Sequence, residues 1–262
     1  MSYFGTMKAL ISTTVARNIR ADASTHSLQT VKSEHHEIHS GSHYYIEGHS
    51  TLGIGGVLYS KIVTPDSGKW AHFTWRISSN GILESTLYEM PTGGMADGLR
   101  TTIHANNRNK NCWSGRQDGG DNQAVLTDST QAWTIDELTG KQVFNQTDGS
   151  SAIITANDAT TVTAALAGGT DNDWDNGDLY EVNNSQIMIT GGVTVATDLG
   201  LEVSNSDVGG EGFKADIGGV AARTDEVILR QNTMYLRRFL SGSAGNIISF
   251  KMSWYEHTDK DS

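Results

Sequence analysis

From residue 43 onward, apolar and polar positions alternate with a period of two, the pattern of half-buried strands. In residues 70–77 one face carries Ala71, Phe73, Trp75 and Ile77, and the other Trp70, His72, Thr74 and Arg76. The device returns near the C-terminus, with Ile248, Phe250, Met252 and Trp254 on one face and Ser249, Lys251, Ser253 and Tyr255 on the other. Residues 57–63, 83–89, 226–230 and 234–240 add strands, bounded by turns at 53–56, 79–81, 231–233 and 241–245 that are rich in Gly, Asn and Ser. The histidine-bearing segments 34–46 and 254–258 also read as strand-like and bookend the pattern. Such spacing predicts an all-β fold, an antiparallel β-sandwich or jelly roll. Strands within 43–89 must pair with strands beyond 225, so this host domain closes only after the intervening chain has been made. Residues 1–30 are rich in Thr, Ser and Ala, and only 7–15 look capable of forming a strand. They read as an extended arm that orders on a partner, because alone they bury too little apolar surface to offset chain entropy.

Charge divides the rest. The 262 residues hold 19 Lys+Arg and 30 Asp+Glu, net −11. Twelve of the acids and a single lysine lie between Asp118 and Glu181, so that block carries the entire net charge and the remainder is neutral. The organisation expected is an arm over 1–30, a host sandwich made of 31–113 and 186–262, and an acidic β-rich insert over 114–185. Gly 29 against Pro 2 suits short strands joined by Gly and Asn turns. A neutral host and an acidic insert both lack the attraction to phosphates that drives nucleic-acid binding. The lone Cys112 excludes an intrachain disulfide and fits assembly in a reducing cytoplasm, although a secreted protein without disulfides would look the same. No leader and no apolar run long enough to cross a bilayer is recognisable, so neither export nor a membrane partner is expected.

Two clusters could hold a metal. His36-Glu37 opens like the zinc-hydrolase motif His-Glu-X-X-His, but its fifth position is Ser40. On a strand, His35, Glu37 and His39 would share one face, and copies around a threefold axis could bind a transition metal; otherwise they are strand histidines at a subunit interface. Asp171, Asp173 and Asp175, with Asp178 beyond, offer hard oxygen ligands for calcium. Gly177 comes one position too late for an EF-hand and no glutamate closes the loop, so a solvated turn is the alternative. No Gly-X-Ser-X-Gly elbow places a nucleophile and no glycine-rich loop continues into Lys-Ser/Thr, so no enzyme is expected and no cofactor is required. Tyr44, Tyr45, Trp113, Trp133 and Trp174 could stack on sugars, which keeps a carbohydrate-binding module open. His36, His39, Tyr44, Trp70 and Tyr255 are candidate interface residues.

The two histidine bookends, together with Thr64-Pro-Asp-Ser-Gly-Lys-Trp-Ala-His-Phe73, Leu87-Tyr-Glu89, Asn106-Asn-Arg-Asn-Lys-Asn111 and Glu226-Val-Ile-Leu-Arg-Gln-Asn-Thr-Met-Tyr235, resemble structural proteins of tailed-bacteriophage virions of the head decoration or cement kind. The resemblance spans roughly residues 7–112 and 186–262. The insert, ending in Gly177-Asp-Leu-Tyr-Glu-Val182, resembles a small β-rich module of phage particle proteins that serves as a movable surface unit. What the resemblance implies is a virion protein, assembled in the bacterial cytoplasm, that binds the major capsid protein on the outside of the head. Virion sandwiches of this kind commonly form symmetric oligomers, trimers on local threefold positions. The surplus of apolar residues on both strand faces, Trp70 opposite Phe73 and Tyr255 opposite Trp254, is expected to pack such an oligomer. A tail, neck or fibre component touching the host surface is the alternative within the same class.

Overall fold

The computed structural model describes residues 7–12, 15–19, 33–92, 95–195, 198–209 and 226–258. In chain order its elements are β1 (Met7–Ser12), β2 (Val15–Ile19), α1 (Ser33–Ser40), β3 (His43–Leu52), β4 (Val57–Val63), β5 (Lys69–Ser79), β6 (Leu83–Glu89), β7 (Met95–Ala96), β8 (His104–Ala105) and β9 (Cys112–Arg116). They continue with β10 (Val125–Thr127), β11 (Gln142–Asn145), β12 (Ser151–Ile153), β13 (Ala156–Asn157), β14 (Thr161–Thr163) and β15 (Leu179–Asn183). The last are β16 (Met188–Gly191), β17 (Thr194–Val195), β18 (Leu201–Val208), β19 (Val227–Leu229), β20 (Met234–Ser241) and β21 (Asn246–Thr258). The fold is all-β with antiparallel sheets.

The chain divides into Met1–His36 and Glu37–Ser262. In the first unit β1 and β2 make a hairpin running from Met7↔Ile19 to Ser12↔Val15, with a register shift between Leu10 and Ser12. The rest of the expected arm lies outside the described residues.

In the second unit, two five-stranded sheets carry the alternating segments, one ordered β16-β4-β20-β6-β18 and the other β19-β5-β21-β3-β8. The long-range pairing required by the sequence is present: β21 pairs with both β3 and β5, and β20 with both β4 and β6. Ile62, Leu87 and Tyr235 of the first sheet pack with Tyr44, Phe73, Met252 and Trp254 of the second. Phe73 and Trp254 stack at 4.9 Å and 9°. Burying each such side chain contributes roughly 1.5–3 kcal/mol. Opposite Phe250 sits Gly48, where an added Cβ would lie 2.8 Å from the Phe250 ring, so the aromatic covers bare backbone.

Strands between 112 and 183 pair only with one another, as β12-β11-β15-β9 and β10-β14-β13. They enclose a separate core of Leu126, Trp133, Val143, Val162, Trp174 and Val182. The partition is crossed by Phe144 of β11, which belongs to the sandwich core, and by Cys112 of β9, which packs against it.

One expectation needs correction. Residues 34–40 are not strand but the helix α1. This segment has only Ile38 to bury, which gives it no apolar face for a sheet. Gly41, at φ +82°, ends the helix: the Gly41 and Ser42 N–H groups donate to the carbonyls of Ile38 and Glu37, 3.2 and 3.1 Å, satisfying the last turn. The second apolar faces are covered in part inside the chain, while Leu201 and Val203 of β18 stay exposed. On the first sheet Tyr88 and Leu236 are covered by Met95, Val193, Val195 and Leu199, which lie on or beside the short β7–β17 ladder. On the second sheet Tyr255 is buried, whereas Trp70 and Ile228 are 40% and 48% exposed.

Candidate functional site

On the outer face of the second sheet, β5 and β21 align His72, Tyr255 and His257 as stacked rings, with 4.5 Å between His72 and each of the other two. Glu226, just before β19, accepts from Tyr255 Oη at 2.7 Å and from His72 Nδ1. Burial lowers the His72 pKa although the Glu226 carboxylate opposes it, so the ring is neutral at pH 7 and donates through Nδ1. Its Nε2 is buried without a partner. His43, likewise buried, is pushed down to about 4 by desolvation and then by Lys251, and its Nδ1 accepts from Asn106 Nδ2 at 2.6 Å.

The helix dissolves the metal site expected of a strand at 35–39. Residues two apart lie about 200° apart around a helix, so Glu37 and His39 do not share the face a strand would give them, and the side chain of His35 lies outside those described. Glu37 instead accepts from Ser40 Oγ, at 3.2 Å, and from Ser42 Oγ, as part of the turn into β3. His36 and His39 are exposed. Tyr44, expected at an interface, is 1% exposed and packs on Trp254 with its hydroxyl donating to the Gly41 carbonyl. The alternation that begins at His43 sends it inward.

The acidic turn does converge. Ligand oxygens of Asp171, Asp173 and Asp175 lie within 4.8 Å of one another while Trp174 between them enters the insert core. Desolvation first, then the charges of Asp171 and Asp175, raise the Asp173 pKa. Asp175 Oδ1 already accepts the Asn122 N–H at 2.8 Å. Asp178 does not join them: its Oδ2 accepts from Asn145 Nδ2 at 2.7 Å and from the Asp175 N–H at 2.9 Å, closing the turn. Three carboxylates suit a hard dication that keeps several waters, and fall short of the six to eight oxygens calcium takes from a complete loop.

The strongest electrostatic site was not singled out in the sequence. Glu181 of β15 is fully buried where the insert meets the sandwich. Arg108 Nη1 at 2.6 Å, His104 Nδ1 at 2.9 Å and the Ala105 N–H at 3.1 Å all donate to it. Burial alone would raise its pKa, but His104, Arg108 and Ala105 together outweigh that and hold the carboxyl at about 2. Burial and the Glu181 charge push the neighbouring Cys112 thiol up to about 12, so it stays protonated and unreactive at neutral pH. In the sequence Glu181 shows only as an acid interrupting Tyr180 and Val182 in a strand, 73 residues from Arg108.

Trp133 and Trp174 are 5% and 0% exposed in the insert core, so with Tyr44 they offer no sugar platform. Of the other two, Tyr45 carries Lys251 Nζ 3.8 Å above its ring and Trp113 carries Lys141 Nζ at 5.1 Å. No protein-family model and no curated protein sequence matches this chain. The functional reading therefore rests on the motifs and on this geometry.

Proposed function

We propose that this chain is a structural protein of a tailed-bacteriophage virion, a decoration protein that binds the outside of the head and stabilises it. The observation that carries this reading is the arrangement of charge: a sandwich of little net charge holds a block of net −11 at one end, clamped there through Glu181. Such a body is suited to displaying the block away from a lattice. The quoted motifs supply the class, and the arm over residues 1–30 is the segment expected to grip capsid protein. Many modest contacts, multiplied by the valency of a lattice, would then resist internal pressure.

Copy number in purified particles tests it. A decoration protein rivals the major capsid protein in abundance; a few copies per particle would assign it to tail, neck or fibre instead. Sedimentation of full-length and 1–30-deleted protein with undecorated capsids tests the arm. Deletion should leave the sandwich folded and weaken retention, and equal retention of both would remove the arm as anchor.

A further inference from the structure

On the outer face of the second sheet, His72, Tyr255 and His43 lie side by side on β5, β21 and β3, since Tyr255 is in register with both histidines. This row reaches toward both edges of the sheet. The outermost strands, β19 and β8, are three and two residues long, so each has few backbone bonds of its own. Each is pinned by one of the histidines. His72 Nδ1 donates to Glu226, the residue leading into β19. His43 Nδ1 accepts from Asn106 Nδ2 at 2.6 Å, one residue past β8, and the His43 carbonyl accepts the Asn106 N–H at 3.0 Å. Both rings are buried, at 8% and 3% exposure, and both contacts use the neutral imidazole. A second proton on His72 would sit on Nε2, which is buried with no acceptor. One on His43 would sit on Nδ1 and face the amide N–H that this nitrogen now accepts. Turning the Asn106 amide would restore that bond but still leave a buried cation.

We infer that this row is an acid-sensitive latch: protonation of His43 and His72 releases the edge strands β8 and β19 and bares the edges of the central strands β3, β21 and β5. The charged and titratable groups around each ring set the direction. Lys251 of β21 opposes a proton on His43, and Glu37 of α1 favours it. His257 of β21 opposes a proton on His72, Glu226 and Glu37 favour it, and the Tyr255 hydroxyl shares Glu226 with the ring. Burial outweighs the carboxylates at both rings, so the latched form is neutral, and His43 is held at about 4 against its ordinary 6.5. A ring that titrates lower when latched than when open gives its full stabilisation above pH 6.5 and loses it as pH falls toward 4. Between pH 7.5 and 5.0 His43 alone raises the open fraction about 30-fold, and His72 acts in the same direction. Glu181, held at about 2, stays charged throughout that window, so its bond to the Ala105 N–H is not what releases β8. Bare strand edges are templates for further strands, so the acid form is the one able to pair with another chain. The inference is independent of the virion reading, since the latch requires no particle.

The test is amide hydrogen exchange of the full chain at pH 7.5 and 5.0, read amide by amide and corrected for the intrinsic effect of pH on exchange. Opening at residues 104–106 and 227–229 should rise about 30-fold or more at pH 5.0, while residues 248–254 of β21 stay better protected than either edge at both pH values. In the His43→Gln/His72→Gln double variant, which keeps polar groups in place without a titrating ring, the same ratio should fall below about threefold. Where that variant does not fold, imidazole titration of the wild type by NMR decides, and the His43 ring should stay neutral down to about pH 4. Edge amides that open equally at the two pH values overturn the inference, as does a His43 ring titrating near 6.5 or a double variant with the full acid response. Edges and β21 sharing one opening constant at pH 5.0 would also overturn it, because the row would then belong to global unfolding.

Discussion

Replacing Arg237 with methionine should make this protein more stable. Arg237 of β20 is 1% exposed inside the sandwich, and among the described residues no carboxylate pairs with it. Its guanidinium lies 4.5 Å from the Trp75 ring centroid and 5.6 Å from that of Phe239, and Nη2 donates to Ser85 Oγ. Nε and Nη1 have no partner. Burial pushes its pKa from 12.5 down to about 9. That shift is a penalty of about 5 kcal/mol on the charged form. At pH 7 the group is protonated in both the folded and unfolded chain, so the whole penalty is present. Stacking on the two rings returns about 2 kcal/mol, which leaves desolvation ahead. Methionine keeps the length and the contact with the rings without the charge. Exchanging a buried ionic group for an apolar one of similar volume gains about 1–4 kcal/mol in comparable cases. Urea and thermal unfolding at pH 7 should therefore show a melting temperature raised by about 3–10 °C. Arg237→Ala should gain less, because a cavity offsets the relief. A methionine variant destabilised by about 2 kcal/mol or more would refute the reasoning, since only a guanidinium with a real counter-charge would be missed that much.

Glu181→Gln should destabilise the protein by about 1–3 kcal/mol, less than breaking a fully buried pair, because Arg108 is half exposed and water can solvate the charge left behind. Because the folded carboxyl is held at about 2 against the usual 4.5, its contribution is complete above pH 4.5 and is lost as pH falls toward 2. Acid unfolding of the Gln variant should accordingly be flatter between pH 5 and 2, and an unchanged slope would exclude Glu181 as the titrating group. Phe144→Ala, which empties a place in the sandwich core from a residue of the insert, should cost about 3–5 kcal/mol, with one cooperative transition retained. Calorimetry of the wild type resolving two independent transitions would contradict that shared core. Excising 118–181 and joining the ends with a short Gly/Ser linker should leave a host that still unfolds cooperatively but at a lower temperature, because Phe144 and Glu181 leave with the excised block. Loss of the cooperative transition would show that the host cannot fold without it.

Period-two alternation made the sandwich legible, because a strand half-buried in a sheet must repeat every second residue: β4 to β6, β20 and β21 fall where the pattern placed them. Residues 34–40 failed because the pattern there was carried by histidines, which are neither firmly apolar nor firmly polar. Gly41 was the better witness, as a left-handed residue that closes a helix. The acidic turn was legible as a cluster because its aspartates lie within a few residues of one another, and the left-handed Asn172 folds the turn so that their oxygens converge. The partnership of Glu181 with Arg108 was not, because it joins residues 73 apart across a domain boundary and no local spacing encodes it. For the same reason Tyr44 and Trp174 looked like exposed aromatics when each was the anchor of a core.

The joint between insert and sandwich bears on how the acidic block can act. Separate sheets and a separate core would permit it to swing on its two connections, as the resemblance to a movable module implies. Phe144 and Glu181 argue otherwise. Swinging the block away would expose a phenylalanine that now fills the host core, and would part Glu181 from the Arg108, His104 and Ala105 donors that hold it. Further bonds cross the same joint, from Arg100 Nη1 to the Ser151 carbonyl at 2.5 Å and from Asn183 Nδ2 to the Ile103 carbonyl at 2.7 Å. Against that total, the conformational freedom regained by a short hinge is small. The block is thus fixed in direction relative to the sandwich, and its charge acts as an oriented field at one end of it rather than as a cloud around it.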